Sequence, residues 1–335
     1  MTRGWQIIRS TADGSDATVA FVELDDDTLQ PPADQRGDVT VDVTWSSLNY
    51  KDALAFAGNP GVVRISPLVP GIDVVGTVAA STHPAWAVGD RVLLNGAGAG
   101  ETRHGGLAGR AVLDGETLVA TPPVFTDAHA AGIGTAGFTA MLAVLALERH
   151  GITHGDVLVT GASGGLGGFA IALLAQAGFT VTASTGRPEH TAALHELGAT
   201  TVIDRTELDR ESRPLESQRF DAVIDTVGGR SLATALAQLR QRGAAVACGN
   251  AASASLDITV MPFILRGVAL LGVNSTITDL PLRQQAWQRL AADLDTNVVD
   301  RIARPIPLAA ARSSAADLLA GQVRGRLSVS IGDLA

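Results

Sequence analysis

Three stretches of the chain combine residue types that can do chemistry. The first is Val159-Thr160-Gly161-Ala162-Ser163-Gly164-Gly165-Leu166-Gly167-Gly168, which follows a strand-like run and opens a helix-like one. Aligned on Ala162, Gly164 and Gly167 it reads A-x-G-x-x-G, a dinucleotide fingerprint with alanine in place of the first glycine. Small residues let the backbone approach a pyrophosphate, and a helix N-terminus offers the anion unpaired N–H groups. The same residues also fit G-x-S-x-G, the elbow of α/β-hydrolases, which would make Ser163 an esterase nucleophile. That chemistry needs a later acid and then a histidine. After Ser163 the only histidines are His190 and His195, both in the next helical unit, so the triad order speaks against a hydrolase.

The second stretch is Ser184-Thr185-Gly186-Arg187. It stands about 20 residues beyond the glycines, where an NAD site places Asp or Glu for the ribose hydroxyls. A carboxylate would repel a 2′-phosphate, whereas hydroxyls and a guanidinium bind one through charge-assisted hydrogen bonds. The position favours NADPH; the other reading of Arg187 is a solvated loop charge. Two more strand ends, Asp225-Thr226-Val227-Gly228 and Cys248-Gly249-Asn250, fall where open α/β sheets bind ligands, at the carboxyl edge. Cys248 reads as packing or a backbone contact with the cofactor rather than as a nucleophile, since a cysteine at such a place is usually a small hydrophobe.

The third stretch, Trp45-Ser46-Ser47-Leu48-Asn49-Tyr50-Lys51-Asp52, holds the one tyrosine of the chain, so chemistry that needs a phenol must use Tyr50. Metal chemistry finds few ligands. A single cysteine excludes an intramolecular disulfide and a thiolate-rich zinc site. His150 and His154 stand four apart, but Gly151 and a helix end lie between them, and a catalytic zinc needs a third ligand.

These residues need scaffolds to hold them. At roughly 150 residues per domain, a chain of 335 residues forms two domains. Hydrophobic residues at 46% and charged residues at 18% indicate a folded globular chain rather than a disordered one. The net charge of −9 argues against a phosphate-tracking nucleic-acid binder. The opening residues form no signal-peptide pattern, and no apolar run reaches the roughly 18 residues of a membrane span, so a cytoplasmic protein is expected. The first third alternates short β-type runs with Gly, Pro and Asp turns: Val39 to Trp45, Gly71 to Val78 and Arg91 to Leu94 predict strands, and Thr121-Pro122-Pro123 closes this region. From Thr126 an Ala/Leu-rich helix runs to His150-Gly151, and strands then alternate with single helices. That is the grammar of βαβ units on a parallel sheet.

Several motifs together resemble one family. Trp45 to Asp52, Val69-Pro70-Gly71-Ile72-Asp73, Gly132 to Met141, the glycine loop, Ser184 to Arg187 and Val260-Met261-Pro262-Phe263-Ile264-Leu265-Arg266 are similar, in this order along nearly the whole chain, to the zinc-free, quinone-oxidoreductase-like branch of the medium-chain dehydrogenases/reductases. Within it the chain resembles bacterial NADPH-dependent acrylyl-CoA reductases. The resemblance implies an α/β fold: a GroES-like β-rich catalytic domain formed by residues 1–125 and 276–335, and a doubly wound parallel-sheet Rossmann domain over 126–275 that binds NADPH. It also implies a homodimer made by pairing the Rossmann sheets, with Leu270 to Val273 as the edge. Zinc members carry Gly-His-Glu where this chain has Gly71-Ile72-Asp73, and a four-cysteine lobe that is missing here. Departures from the family pattern fall at Gly109, Asn250 to Ser253 and Ala320 to Gln322.

The implied reaction is reduction of the C=C bond of acryloyl-CoA to propionyl-CoA. Hydride passes from nicotinamide C4 to the β-carbon, charge builds on the thioester oxygen, and the α-carbon is protonated. The implied catalytic residues are Tyr50 and Asp73. The implied cofactor contacts are Tyr50, Ser163, Gly164, Gly165, Leu166, Thr185, Gly186, Arg187, Thr226, Cys248, Asn250, Ile264 and Ser275. Asp73 reads equally as a turn cap, Asn49 and Asp52 as turn formers or orienters, and Lys51 and Arg64 as CoA-phosphate contacts or solvated charges. Two other functions stay open: an NADPH:quinone oxidoreductase with the same cofactor site, and a cofactor-binding protein without turnover. The expected partner is a small acyl-CoA, with no nucleic acid and no membrane.

Overall fold

A computed structural model of the chain describes residues 1–9 and 17–332. It divides into two compact units: residues 1–135, 275–291 and 299–335 form the first, and 136–274 with 292–298 form the second. The first division falls inside a helix, ten residues beyond the boundary at 125 that the proline pair suggests, because Gly134 breaks the helical run there with φ of 43° and ψ of −153°.

The first unit is built on β-sheets. The hairpin β1 (Thr2–Arg9) and β2 (Ala17–Leu24) is followed by β3 (Val39–Leu48), the short helix α1 (Tyr50–Phe56), β4 (Asp73–Ser81), β5 (Arg91–Asn95), β6 (Arg110–Leu113) and β7 (Val119–Ala120). Period-two alternation in β3 buries Val39, Val41 and Val43 against Val74, Val78, Val92 and Leu94, so one face of the sheet carries the core. The helix α2 (Asp127–Arg149) comes next. By length and composition it could cross a membrane, contrary to the expectation from apolar runs, yet 83% of its apolar window is buried inside the protein. It is a core helix.

The second unit is the parallel sheet. Along the chain come β8 (Asp156–Val159), α3 (Gly165–Gln176), β9 (Thr180–Thr185), α4 (Thr191–Glu196), β10 (Thr201–Asp204), β11 (Phe220–Asp225), α5 (Gly229–Ala237), β12 (Leu239–Ala247), α6 (Met261–Arg266) and β13 (Ala269–Gly272). The spatial order is β10-β9-β8-β11-β12-β13, every pair parallel. This is the 3-2-1-4-5-6 order of a dinucleotide-binding fold, with the order reversing between β8 and β11. Ligands of such sheets bind outside the carboxyl ends of the strands at that reversal.

The chain then makes α7 (Leu280–Asp293) and α8 (Thr296–Ile302), and returns to the first unit with β14 (Ala303–Pro307), α9 (Ala311–Leu319) and β15 (Arg326–Ser330). The first unit's larger sheet runs β14-β15-β3-β4-β5-β7, with β6 also on β3. In it β15 pairs antiparallel with β3, so that Leu327 faces Leu48. The C-terminal tail is thereby placed beside the strand that leads into Tyr50.

Candidate active site

In the second unit the glycine loop and three strand ends meet at the carboxyl edge of the sheet. Gly164 is the N-cap of α3, which leaves the first-turn N–H groups facing the loop as an anion site. Gly167 is there for close approach: a Cβ on it would lie 2.5 Å from the Gly161 carbonyl oxygen and 2.7 Å from the Ala162 Cα. Ser163 Oγ and Thr185 Oγ1 are 2.7 Å apart, joining the loop to the end of β9, and the Arg187 N–H donates to Thr185 Oγ1 at 3.1 Å. Beside them lies Arg205, just past β10. A Cβ on Gly186 would be 2.6 Å from its Cδ and Nε, so the arginine lies along the Gly186 backbone. The sequence motif names Arg187 alone; Arg205 arrives through the pairing of β10 with β9.

The end of β11 is fixed by Asp225. Its carboxylate is fully buried and accepts from Thr160 Oγ1 at 2.6 Å and the Gly228 N–H at 2.7 Å. The Thr226 N–H donates in turn to Thr160 Oγ1 at 3.0 Å. Burial pushes the Asp225 carboxyl up from its ordinary value in spite of these donors. Cys248 donates its thiol to the Asp225 carbonyl oxygen at 3.2 Å. Burial and then the Asp225 charge push that thiol up as well, against the thiolate form that a nucleophile needs. Asn250 is exposed in the loop after β12, and Ile264 is 70% exposed on α6. Ser163 holds a hydroxyl partner, not a histidine, as its place in a dinucleotide loop requires.

Tyr50, Asp73 and Ser275 belong to the first unit. Tyr50 is the first residue of α1 and is 51% exposed. Its backbone is held by a capping box: Asn49 is the N-cap, and the Asp52 carboxylate accepts from the Asn49 N–H at 2.8 Å. Asp73 departs from expectation. It is wholly buried and saturated with donors: Ser47 Oγ, Asn49 Nδ2 at 2.9 Å, Asn95 Nδ2 at 2.7 Å, Thr135 Oγ1 at 2.6 Å and Arg326 Nη2 at 2.6 Å. Burial pushes this carboxyl up, but Arg326, the Ser47 and Thr135 hydroxyls and the Asn49 amide outweigh it and hold it below the usual range. An enclosed, ionised carboxylate with no free lone pair neither touches substrate nor transfers a proton. The sequence reading of Asp73 as a catalytic group gains no support from this geometry, which places it to hold Ser47, Asn49 and Arg326.

Arg326, which no motif singles out, completes the arrangement. It is buried, and it donates to Asn49 Oδ1 at 2.8 Å and Ser47 Oγ at 2.6 Å as well as to Asp73. Gly134 makes room, since a Cβ there would collide with the Arg326 guanidinium and the Asp73 carboxylate. Asp52, next to this ion pair, behaves in the opposite way. Burial, with the Asp73 charge adding to it, raises its pKa to about 6. Lys51 is taken up by Glu101 at 2.8 Å, and Arg64 Nε donates to the Gly61 carbonyl at 3.2 Å.

Residues 35–149 match the alcohol dehydrogenase GroES-like domain and residues 165–294 match a domain described as zinc-binding dehydrogenase. The chain is 48% identical, over 94% of its length and 96% of the relative's, to the "Probable acrylyl-CoA reductase AcuI" of Escherichia coli K12. The chain belongs to the medium-chain dehydrogenase/reductase superfamily. It is an oxidoreductase with that superfamily's two domains, GroES-like and Rossmann. A solved structure of the yhdH oxidoreductase from Salmonella enterica in complex with NADP is 45% identical and superposes with a TM-score of 0.93, covering 98% of this chain and all (100%) of that one. The Bacillus subtilis protein yhfP, solved with NAD bound, is 35% identical with a TM-score of 0.91 over 98% and 99% of the two chains.

Among the described residues the superfamily's zinc finds no fitting ligand set. Among the described residues no three His, Cys, Asp or Glu side chains come together. Asp73, in the place of the zinc members' Gly-His-Glu glutamate, faces a guanidinium at 2.6 Å instead. A fixed cation already neutralises that carboxylate.

Proposed function

We propose that this oxidoreductase reduces the C=C bond of acryloyl-CoA, or another short 2-enoyl-CoA, to the saturated thioester, acting as a cytoplasmic enzyme. Its cofactor is NADPH. The observation that carries the choice over NADH is the end of β9. Thr185, Gly186 and Arg187 stand where an NAD site needs a carboxylate, with the Arg205 side chain lying along Gly186 and Thr185 Oγ1 accepting from the Arg187 N–H. Gly164, Gly165 and Leu166 at the start of α3 receive the pyrophosphate, and Thr226, Cys248, Asn250, Ile264 and Ser275 complete the cofactor contacts. Bound NADPH supplies the hydride.

What the chain itself must do is bind, orient and stabilise. Tyr50 is the phenol available to donate to the thioester oxygen as charge develops there. The start of its helix is anchored, because the N-cap Asn49 is pinned by Asp52, Asp73 and Arg326. Rigid donors are the ones that stabilise developing charge without reorganising. A homodimer on β13 belongs to the same reading: β13 is the sheet's edge strand, Leu270 on it is 38% exposed, and Ile264 and Leu265 on α6 are exposed at 70% and 55%.

The test is consumption of NADPH with acryloyl-CoA, crotonyl-CoA and a benzoquinone side by side. Turnover of the enoyl-CoAs is expected. Turnover of the quinone alone overturns the reading in favour of a quinone reductase, and NADPH binding with no turnover makes the chain a cofactor-binding protein. Tyr50→Phe is expected to lower kcat on acryloyl-CoA by about 10²-fold; unchanged kcat reduces the phenol to a packing role.

A further inference from the structure

Three arginines from two stretches of the chain line one cavity where β14 and β15 begin. Arg301 is in the last turn of α8, Arg304 follows on β14, and Arg324 sits two residues before β15. They line a cavity of about 600 Å³ together with Gln322, Asp300 and Asp317. A volume of this order suits a small-molecule site, for which about 300–1,000 Å³ is usual. The cavity is basic in an acidic chain, with three guanidiniums against two carboxylates in a protein whose net charge is −9. One of those carboxylates, Asp300, is engaged at 3.3 Å by His129 Nε2. Among the described residues neither Arg304 nor Arg324 has an ion-pair partner. The loop that carries Arg324 is held in place, since Gly325 packs against the Ile302 carbonyl too closely for any Cβ. Two such guanidiniums, facing one cavity without carboxylate partners, fit phosphate oxygens, which they bind with charge and direction.

The cavity's position in the first unit says which phosphate. Arg324 is two residues from Arg326, which donates to Asn49 Oδ1, and Asn49 precedes Tyr50. Leu327 pairs with Leu48, so the entry to β15 and the entry to the Tyr50 helix are neighbours on one sheet end. The basic residues nearer Tyr50 in sequence are already engaged, because Lys51 is bound to Glu101 and Arg64 is held at the Gly61 carbonyl.

We infer that this arginine-lined cavity binds the phosphate-bearing nucleotide end of the acyl-CoA while the thioester lies at Tyr50. The inference rests on the enoyl-CoA reductase reading above. It makes CoA itself, and not only the acyl group, a determinant of specificity.

The experiment is calorimetric titration of the NADP-loaded protein with CoA and with pantetheine, which has the same thiol arm and no phosphate. The wild type is expected to bind CoA about 10- to 100-fold more tightly than pantetheine, the difference that a few charge-assisted phosphate contacts supply. The triple variant Arg301→Ala, Arg304→Ala, Arg324→Ala is expected to lose that preference while its affinities for pantetheine and NADPH stay as they were. Equal wild-type affinities for the two ligands overturn the inference, as does a variant that still prefers CoA or one that loses NADPH in parallel. Turnover separates this inference from the functional reading. Arginine-dependent CoA binding without reduction of acryloyl-CoA sinks the reductase and leaves the cavity, and reduction with the KM for acryloyl-CoA unchanged in the variant does the reverse.

Discussion

In the second unit the cofactor edge is made of backbone and small side chains: Gly164 caps α3, Gly167 lets the loop close on the helix, and two hydroxyls, Ser163 and Thr185, tie the strand ends together. In the first unit the neighbourhood of Tyr50 is made of buried charge, with Asp73 and Arg326 at 2.6 Å and Ser47, Asn49, Asn95 and Thr135 filling the remaining positions. A dinucleotide's pyrophosphate brings its own charge and needs only oriented N–H groups, which any chain supplies at a helix start. In the proposed reduction a neutral thioester offers little to hold until charge develops on its oxygen, and a donor fixed in advance is what that step calls for. The buried ion pair holds the Asn49 cap of the Tyr50 helix at the expense of desolvating two charges.

The comparison breaks most sharply at Arg326. Removing it as Arg326→Met leaves Asp73 buried with its charge unbalanced, and a loss of about 3–5 kcal/mol of stability is expected in urea unfolding. Adding Asp73→Asn to that variant removes the stranded charge and is expected to restore part of the loss. If Arg326→Met costs no more than an exposed arginine would, the pair is not what holds this region.

Asp52 tests the same region through pH. Its folded pKa, about 6, lies above the ordinary 3.8, so the folded chain retains a proton across that window that the unfolded chain has released. Its contribution to stability therefore falls as pH rises from 3.8 to about 6 and is level above. Asp73 runs the other way, being held below its ordinary value, and its contribution is present above that value and lost as pH falls through the folded one. Asp52→Asn abolishes the first slope alone. Relative to wild type, the variant is expected to gain about 3 kcal/mol between about pH 4 and about pH 7, the free energy that corresponds to a displacement of this size. A difference between the two proteins that stays constant with pH would show that Asp52 is not ionised at a cost.

What could be read in the sequence follows the same division. The glycine loop, the end of β9 and the alternation of strands with helices are local in the chain, and their spacing carries the parallel sheet and the NADPH preference. The first unit's network is not local. Arg326 meets Asp73 across 253 residues and Asn49 across 277, and no periodicity or motif reports such a meeting. That is why Asp73 reads as a catalytic group or a turn cap when it is in fact the enclosed half of an ion pair. Arg205 is hidden for a milder version of the same reason: it follows β10, and only the register of β10 on β9, with Asp204 opposite Thr185, carries it to Gly186. The division between the units falls later than the proline pair suggests because Gly134 interrupts α2 from inside, leaving space for the Arg326 guanidinium, and a lone glycine in an apolar stretch does not announce that.

The smallest effect belongs to the second unit, where exposed charges in water are weaker than buried ones. Arg187 and Arg205 are expected to share the 2′-phosphate, so that Arg187→Ala and Arg205→Ala each weaken NADPH by about tenfold, close to the 1.4 kcal/mol of a single solvent-screened phosphate contact, and leave NADH within about twofold. The ratio of the two cofactors' affinities is the informative quantity, because a general disturbance of the loop lowers both together. Equal losses for NADPH and NADH would return both arginines to solvated surface charges. A loss confined to Arg205→Ala would place the phosphate on the residue that the β10–β9 register delivers and relieve Arg187 of the role its place in the motif suggests.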